Sequence, residues 1–162
     1  MSKSKIVFAN GGFDILHAGH FNLLSECRSL AGEIGTVIVG LDSDEKIKND
    51  KGIQRPFFTL SEREKHLRIL TVDELPLVDR IRSFNTNEEL YDLILELKPD
   101  YIVKGADWDG KEVIGSDECR VIFATYNSEI SSTIIANRIV QKTLQYDFRN
   151  EIVNPFDRPE EK

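Results

Sequence analysis

Short apolar runs alternate along this chain with stretches whose apolar positions recur at helical spacing. Lys5-Ile6-Val7-Phe8-Ala9 predicts a first buried strand, and Leu23, Leu24, Cys27, Leu30 and Ala31 then recur along one face of a helix. Thr36-Val37-Ile38-Val39-Gly40-Leu41 is apolar without alternation, as expected of a second strand covered on both faces. From Asp42 to Arg55 the chain turns polar, which predicts a loop with basic reach before Pro56 restarts it. Thr59-Leu60-Ser61-Glu62 has capping-box spacing and predicts a helix to about Leu70, with Leu67 and Leu70 on its inner side. A third strand is expected near Leu77-Val78-Asp79-Arg80-Ile81. Thr86-Asn87-Glu88-Glu89 repeats the capping pattern ahead of the stripe Leu90, Leu93, Ile94 and Leu97, which Pro99 ends. Tyr101-Ile102-Val103-Lys104 and Val121-Ile122-Phe123-Ala124 are the fourth and fifth strands, and Ser131-Ser132-Thr133 starts a last helix carrying Ile134, Ile135 and Ile139.

This alternation predicts an open α/β fold: a parallel sheet joined by right-handed crossovers. Ligands in such sheets bind beyond the carboxyl ends of the strands where the strand order switches, so the loops after strands one, four and five are the places for a site. No internal repeat or linker divides the chain. Residues 1–145 read as one domain and 146–162, polar and carrying Pro155 and Pro159, as a partly ordered tail.

Composition narrows the partners. A formal charge of −7 lacks the surplus of Lys and Arg that holds nucleic acid, so no nucleic-acid partner is expected. Cys27 and Cys119 form no C-x-x-C pair, which argues for a reducing compartment. No apolar run reaches the roughly 20 residues that span a bilayer. A cytoplasmic protein without a membrane partner is the expectation.

The chemistry concentrates in the exit from the first strand, Asn10-Gly11-Gly12-Phe13-Asp14-Ile15-Leu16-His17-Ala18-Gly19-His20. His17 and His20 are spaced to project together if they occupy the first helical turn, and a helix N-terminus adds unpaired N–H donors. Gly11, Gly12 and Gly19 allow close backbone approach, a combination suited to phosphate. The alternative is one packing histidine and one solvated histidine. Zinc is disfavoured, because the zinc-protease pair needs i,i+4 spacing and a third ligand, and only His66, read as structural, remains. No direct metal ligand is expected. Neither G-x-G-x-x-G nor a P-loop motif occurs. Ser131, Ser132 and Thr133 read equally as a phosphate-holding helix start or as a simple cap.

Gly12-Phe13-Asp14 with His17-Ala18-Gly19-His20, together with Ile130-Ser131-Ser132-Thr133, resembles the HxGH nucleotidyltransferases, in particular their cytidylyltransferase-like branch. Within it, the chain is most similar to the adenylyltransferase domain of ADP-heptose synthase, in Phe8–His20, Lys51-Gly52-Ile53-Gln54-Arg55-Pro56 and Val103-Lys104-Gly105-Ala106-Asp107. Glycerol-3-phosphate cytidylyltransferase is similar in the histidine motif and in Asp107-Trp108-Asp109-Gly110-Lys111. That group has Arg-Thr-Glu-Gly ahead of the Ser-Thr motif, where this chain has Tyr126-Asn127-Ser128-Glu129.

The resemblance implies a Rossmann-like open five-stranded parallel sheet with helices on both faces. It implies transfer of a nucleotidyl group, with ATP favoured over CTP, to a phosphorylated sugar such as a heptose 1-phosphate. Glycerol 3-phosphate or a similar polyol phosphate is the alternative acceptor. His17, His20 and Lys51 are the implied catalytic residues, and Asn10, Gly11, Gly12, Phe13, Asp14, Gly19, Lys104, Gly105, Asp107, Trp108, Ile130, Ser131, Ser132 and Thr133 the nucleotide-binding set. Lys46, Lys48 and Arg55 are candidates for the acceptor. Mg²⁺ accompanying the nucleoside triphosphate is the implied cofactor, and a homodimer or larger homo-oligomer the implied assembly. A nucleotide-binding regulator without turnover is the reading from another class.

Overall fold

The structure, a computed structural model, describes residues 4–125 and 129–147. In chain order the elements are β1 (Ile6–Gly11), α1 (Ala18–Ala31), β2 (Thr36–Asp42), α2 (Asp44–Lys51), α3 (Leu60–Arg68), β3 (Thr71–Val72), β4 (Leu75–Pro76), β5 (Arg80–Phe84), α4 (Asn87–Leu97), β6 (Tyr101–Lys104), β7 (Arg120–Phe123) and α5 (Ser132–Asp147). A short 3₁₀ turn, Ala106–Trp108, follows β6.

Five strands form one parallel sheet in the order β5-β2-β1-β6-β7, while β3 and β4 pair separately as a small antiparallel hairpin. This is the expected Rossmann-like open sheet. The order reverses between β1 and β6, whose pairing runs from Val7 opposite Tyr101 to Ala9 opposite Val103. A crevice at the strand ends there is a consequence of the topology.

Each strand feeds both faces of the sheet, because its side chains alternate. Val7, Ala9, Val37, Val39, Leu41 and Val103 pack with Leu23, Leu24, Cys27 and Leu67 on one side. Phe8, Ile38 and Ile102 pack with Leu90, Leu93 and Ile94 on the other. Leu24, Ile38, Leu67 and Ile102 are at most 1 % exposed, and burying such a side chain fully contributes about 1.5–3 kcal/mol each. The helix starts follow the cap chemistry read from sequence. Thr59 and Glu62 complete a reciprocal capping box, and the Thr86 hydroxyl accepts the Glu89 N–H.

Two expectations are corrected. Residues 42–55 are not a loop: α2 forms within them, capped by Ser43 and ended at Gly52 (φ 93°). Its single buried residue is Ile47, so it carries no apolar stripe to betray it. The third sheet strand lies at Arg80–Phe84 rather than beginning at Leu77, because Leu77 and Val78 are spent filling the core before the chain reaches the sheet edge. Helix α5 runs to Asp147, and most of the expected tail lies outside the described residues. Among the described residues no helix is long and apolar enough to cross a membrane.

Candidate active site

The exit of β1 and the start of α1 are held by specific contacts. Phe13 takes a left-handed backbone conformation (φ 44°) while its ring is buried, an unusual state for a bulky residue that its surroundings must enforce. Asp14 is 2 % exposed. Its carboxylate accepts the Phe57 and Phe58 N–H groups at 3.0 and 2.9 Å and pairs with Arg55, Nε at 2.9 Å and Nη2 at 2.8 Å. Arg55 also reaches Thr133 Oγ1 at 3.4 Å, and the Ser132 hydroxyl donates to the Ile15 carbonyl. The starts of α1, α3 and α5 are thereby fastened around one loop.

His17 is not in the first helical turn but is the N-cap of α1. Its Nδ1 accepts the Gly19 N–H at 3.2 Å, leaving the ring proton on Nε2 when the imidazole is neutral. His20 lies one turn on, its ring centroid 3.9 Å from that of His17 and 5.0 Å from Phe13. Burial lowers the pKa of His17. Burial, joined by positive charge on His17 and Lys51, pushes His20 down to about 3, against smaller opposing effects of Asp14 and the Ile15 backbone. Both shifts favour the neutral imidazole, most strongly at His20. His20 Nδ1 is buried without a hydrogen-bond partner, alone in this among the described side chains.

Across the crevice, Lys104 leaves β6 only 5 % exposed. Its Nζ lies 3.3 Å from Asn10 Oδ1 and 3.9 Å from the centre of the Trp108 ring. Burial lowers its pKa to about 8, more than Asp42 and Asp107 restore. Gly105 leaves room for the Asp107 carboxylate, whose Oδ1 would stand 2.5 Å from a Cβ there. Ser131 caps α5 by accepting the Ile134 N–H.

These groups meet in a cleft of about 420 Å³. Asn10, Gly11, Phe13, Gly19, His17 and His20 supply one wall, Lys51 and Arg55 another, and Lys104, Gly105, Asp107 and Trp108 a third, with Ile130, Ser131, Ser132 and Thr133 completing it. The loops after β1, β6 and β7 and two helix N-termini thus converge where the strand order reverses. Of the residues read from sequence, Asp14 lies beneath this cleft and Gly12 beside it. Lys46, paired with Asp50 at 2.8 Å, lines a neighbouring chamber, and Lys48, paired with Glu45, lies outside both. Tyr126 to Ser128 lie outside the described residues.

The sequence reading missed Arg63 and Asp42. Arg63 is fully buried and donates to the Gly12 carbonyl at 2.7 Å, the Asp42 carbonyl at 2.8 Å and the Phe58 carbonyl at 3.0 Å, while pairing with Asp44 at 2.7 Å. Its place one turn before Leu67, on the inner face of α3, was the available signal. Asp42 closes β2 beside Gly12, where burial raises its pKa against the pull of Lys46, Lys51 and Lys104.

Known proteins resemble this chain over most of its length. It is 44% identical to the bifunctional protein HldE of Helicobacter hepaticus over 122 residues, covering 75% of this chain and 23% of that one. It is 39% identical to the Helicobacter pylori HldE over 142 residues, covering 88% and 28%. The chain therefore spans about a quarter of these relatives. The crystal structure of a lipopolysaccharide core biosynthesis protein from Thermoplasma volcanium superposes with a TM-score of 0.58 at 25% identity, covering 76% of this chain and 98% of that one. A Streptococcus pneumoniae chain named a macrolide-efflux protein shares the fold at 21% identity and a TM-score of 0.58, over 86% and 53%. Residues 8–138 match the cytidylyltransferase-like family, and with that match spanning the sheet, both histidines and the start of α5, the chain belongs to this family of nucleotidyltransferases.

Proposed function

We propose that the protein transfers a nucleotidyl group, with ATP as the favoured donor, to a phosphorylated sugar of the heptose 1-phosphate kind, forming a nucleoside-diphosphate sugar and pyrophosphate. The observation that carries this reading is the paired His17 and His20 rings at the start of α1, facing a cleft that also receives the start of α5. The match to HldE, whose name comes from longer bifunctional proteins, supports a heptose phosphate as acceptor.

An oxygen of the acceptor phosphate attacks the α-phosphorus in line, the bond from that phosphorus to the bridging oxygen breaks, and pyrophosphate carries off the electron pair. The acceptor oxygen is already ionised, so the protein needs no covalent intermediate. Its task is to align two anions and to stabilise charge spreading over the α-phosphate and leaving group. His17 does this through Nε2–H, a proton position fixed by the cap bond at Nδ1. His20 provides a largely buried imidazole that lines the cleft, its Nδ1 without a hydrogen-bond partner. Lys51 and Lys104 supply positive charge from α2 and β6, and the first N–H groups of α5 receive a terminal phosphate.

Mg²⁺ is held mainly through phosphate oxygens and water, and the cleft fits that mode. Asp107 is the carboxylate among its lining residues, and no cluster of three or more His, Cys, Asp or Glu side chains suited to a metal occurs among the described residues. Bound with the triphosphate, such an ion would supply neutralisation of phosphate charge, with Asp107 the lining carboxylate that could hold its water shell. The reading is tested by incubating the protein with Mg²⁺, each of four nucleoside triphosphates and a panel of sugar and polyol phosphates while following pyrophosphate release. Release with ATP and heptose 1-phosphate supports it. Preference for CTP and glycerol 3-phosphate would replace it with the cytidylyl reading, and saturable nucleotide binding without release would point to a regulator.

A further inference from the structure

Beside the main cleft lies a second chamber of about 240 Å³. The two share Asn10, Gly11, Lys51, Lys104 and Trp108, so they are adjoining rooms divided by these residues. The second room is walled by the ends of β1 and β2, by α2 and by the start of α4, and continues to Val113 and Ile114. To the shared Asn10, Lys51 and Lys104 it adds the polar side chains of Asp42, Lys46, Asp50 and Asn87.

Asp42 differs from its neighbours. Lys46 and Asp50 satisfy each other at 2.8 Å, whereas the Asp42 carboxylate accepts no hydrogen bond from any described residue, although its backbone carbonyl is held by Arg63. The carboxylate stands against the histidine loop: a Cβ built on Gly12 would lie 3.7 Å from Asp42 Oδ2. Asp42 is half-buried and lines the chamber, so its carboxylate is an acceptor that a ligand bearing hydrogen-bond donors can reach. The charge around it selects among ligands. Lys46, Lys51 and Lys104 all act electrostatically on Asp42, so the chamber already holds its cations and disfavours a cationic head group. An uncharged, hydroxylated ligand can donate to the Asp42 carboxylate without adding to that positive charge.

We infer that this side chamber seats the hydroxylated carbon chain of the acceptor, and that Asp42 determines acceptor specificity by receiving hydrogen bonds from its hydroxyl groups. The inference rests on the proposed nucleotidyl transfer and adds where the acceptor's non-reacting part is read. The acceptor's phosphate then lies at the junction of the rooms, between Lys51 and Lys104, on the side of the histidines. Asp42 makes no contact with the reacting atoms. Substituting it should change the acceptor's binding and leave the nucleotide's intact.

The single tryptophan, Trp108, lines both rooms and gives a readout that needs no turnover. Its fluorescence is titrated with glycerol 3-phosphate, heptose 1-phosphate, phosphoethanolamine and inorganic phosphate, and separately with each nucleoside triphosphate, in the parent chain and in Asp42→Asn and Asp42→Ser. Asp42→Asn preserves shape and removes charge; Asp42→Ser guards against a variant that merely misfolds. The expected result is a loss of at least about tenfold in polyol-phosphate affinity in both variants, with inorganic phosphate and nucleotide binding within about twofold of the parent, tenfold being the scale of one net charge-assisted hydrogen bond. Unchanged polyol-phosphate affinity, an equal loss for the nucleotide, tighter parent binding of phosphoethanolamine than of glycerol 3-phosphate, or no binding of either polyol phosphate by the parent would overturn the inference. Failure of the underlying reading is seen separately, as absence of pyrophosphate release by the parent chain.

Discussion

Asp14 and Arg55, 41 positions apart, form an ion pair with side chains only 3 % and 9 % exposed. Both belong to motifs that resemble a nucleotide site, yet Asp14 is turned inward, accepting two backbone N–H groups as well as the guanidinium. It holds the loop between β1 and α1 against the loop that precedes α3.

Removing one partner strands the other. Arg55→Ala should cost about 3–5 kcal/mol of folding stability, the usual penalty for an uncompensated buried charge. Asp14→Asn should cost a similar amount, because its amide oxygen can keep the backbone N–H bonds while its NH2 group faces the guanidinium and leaves that charge uncompensated. Thermal unfolding of both variants checks this. An Arg55→Ala chain that melts with its parent would mean that the pair fastens nothing.

The histidines should behave in the opposite way. His20→Ala is expected to lower turnover by on the order of a hundredfold, the scale of one lost transition-state donor, with little change in melting temperature. Steady-state rates of pyrophosphate release report it, and parent-like turnover would remove His20 from the mechanism. A bound phosphate should also oppose the burial that holds His20 near 3, raising its pKa. An NMR titration of the His20 ring with and without nucleotide measures that shift.

Lys104 gives a separate pH signature. With its pKa lowered to about 8, it is charged below that value and neutral above it. A triphosphate favours the charged form, so nucleotide binding above about pH 8 should take up a proton, and affinity should fall as pH rises through that range. Calorimetric titration in buffers of different ionisation enthalpy detects the proton. Lys104→Met should abolish the buffer dependence; its persistence would assign the uptake elsewhere.

The buried fork of Arg63 calls for a conservative test. Arg63→Lys keeps the charge but cannot span the Gly12, Asp42 and Phe58 carbonyls, leaving at least one buried acceptor unpaired at a cost of about 1–3 kcal/mol. Urea unfolding resolves a change of that size. An unchanged midpoint would show that the lysine or water replaces the fork.

Legibility in the sequence follows from how local each cause is. β6 appears where the run Tyr101–Lys104 places it, and the capping box at Thr59 forms as spaced, because both depend on neighbours in the chain. The convergence of three strand exits followed from topology alone. Helix α2 was obscured because its inward contacts fall to Ile47, although Ser43 and Gly52 mark its ends. The burial of Arg55 and Arg63 was also hidden, since each is neutralised by groups distant in sequence and reads locally as a solvated cation. Asp42 was missed for the same reason. Its meaning depends on a chamber that exists only once β1, β2 and α4 have come together.

The cap bond of His17 carries an implication for engineering. Asparagine, serine and aspartate are the strong capping residues, and His17→Asn should hold the start of α1 at least as firmly while removing the ring that faces the cleft. Unfolding and turnover would then move apart, with a chain as stable as its parent or more so and catalytically poor. A stability screen would reward that exchange and an activity screen would reject it, which makes position 17 a place where selection for robustness and selection for function pull in opposite directions.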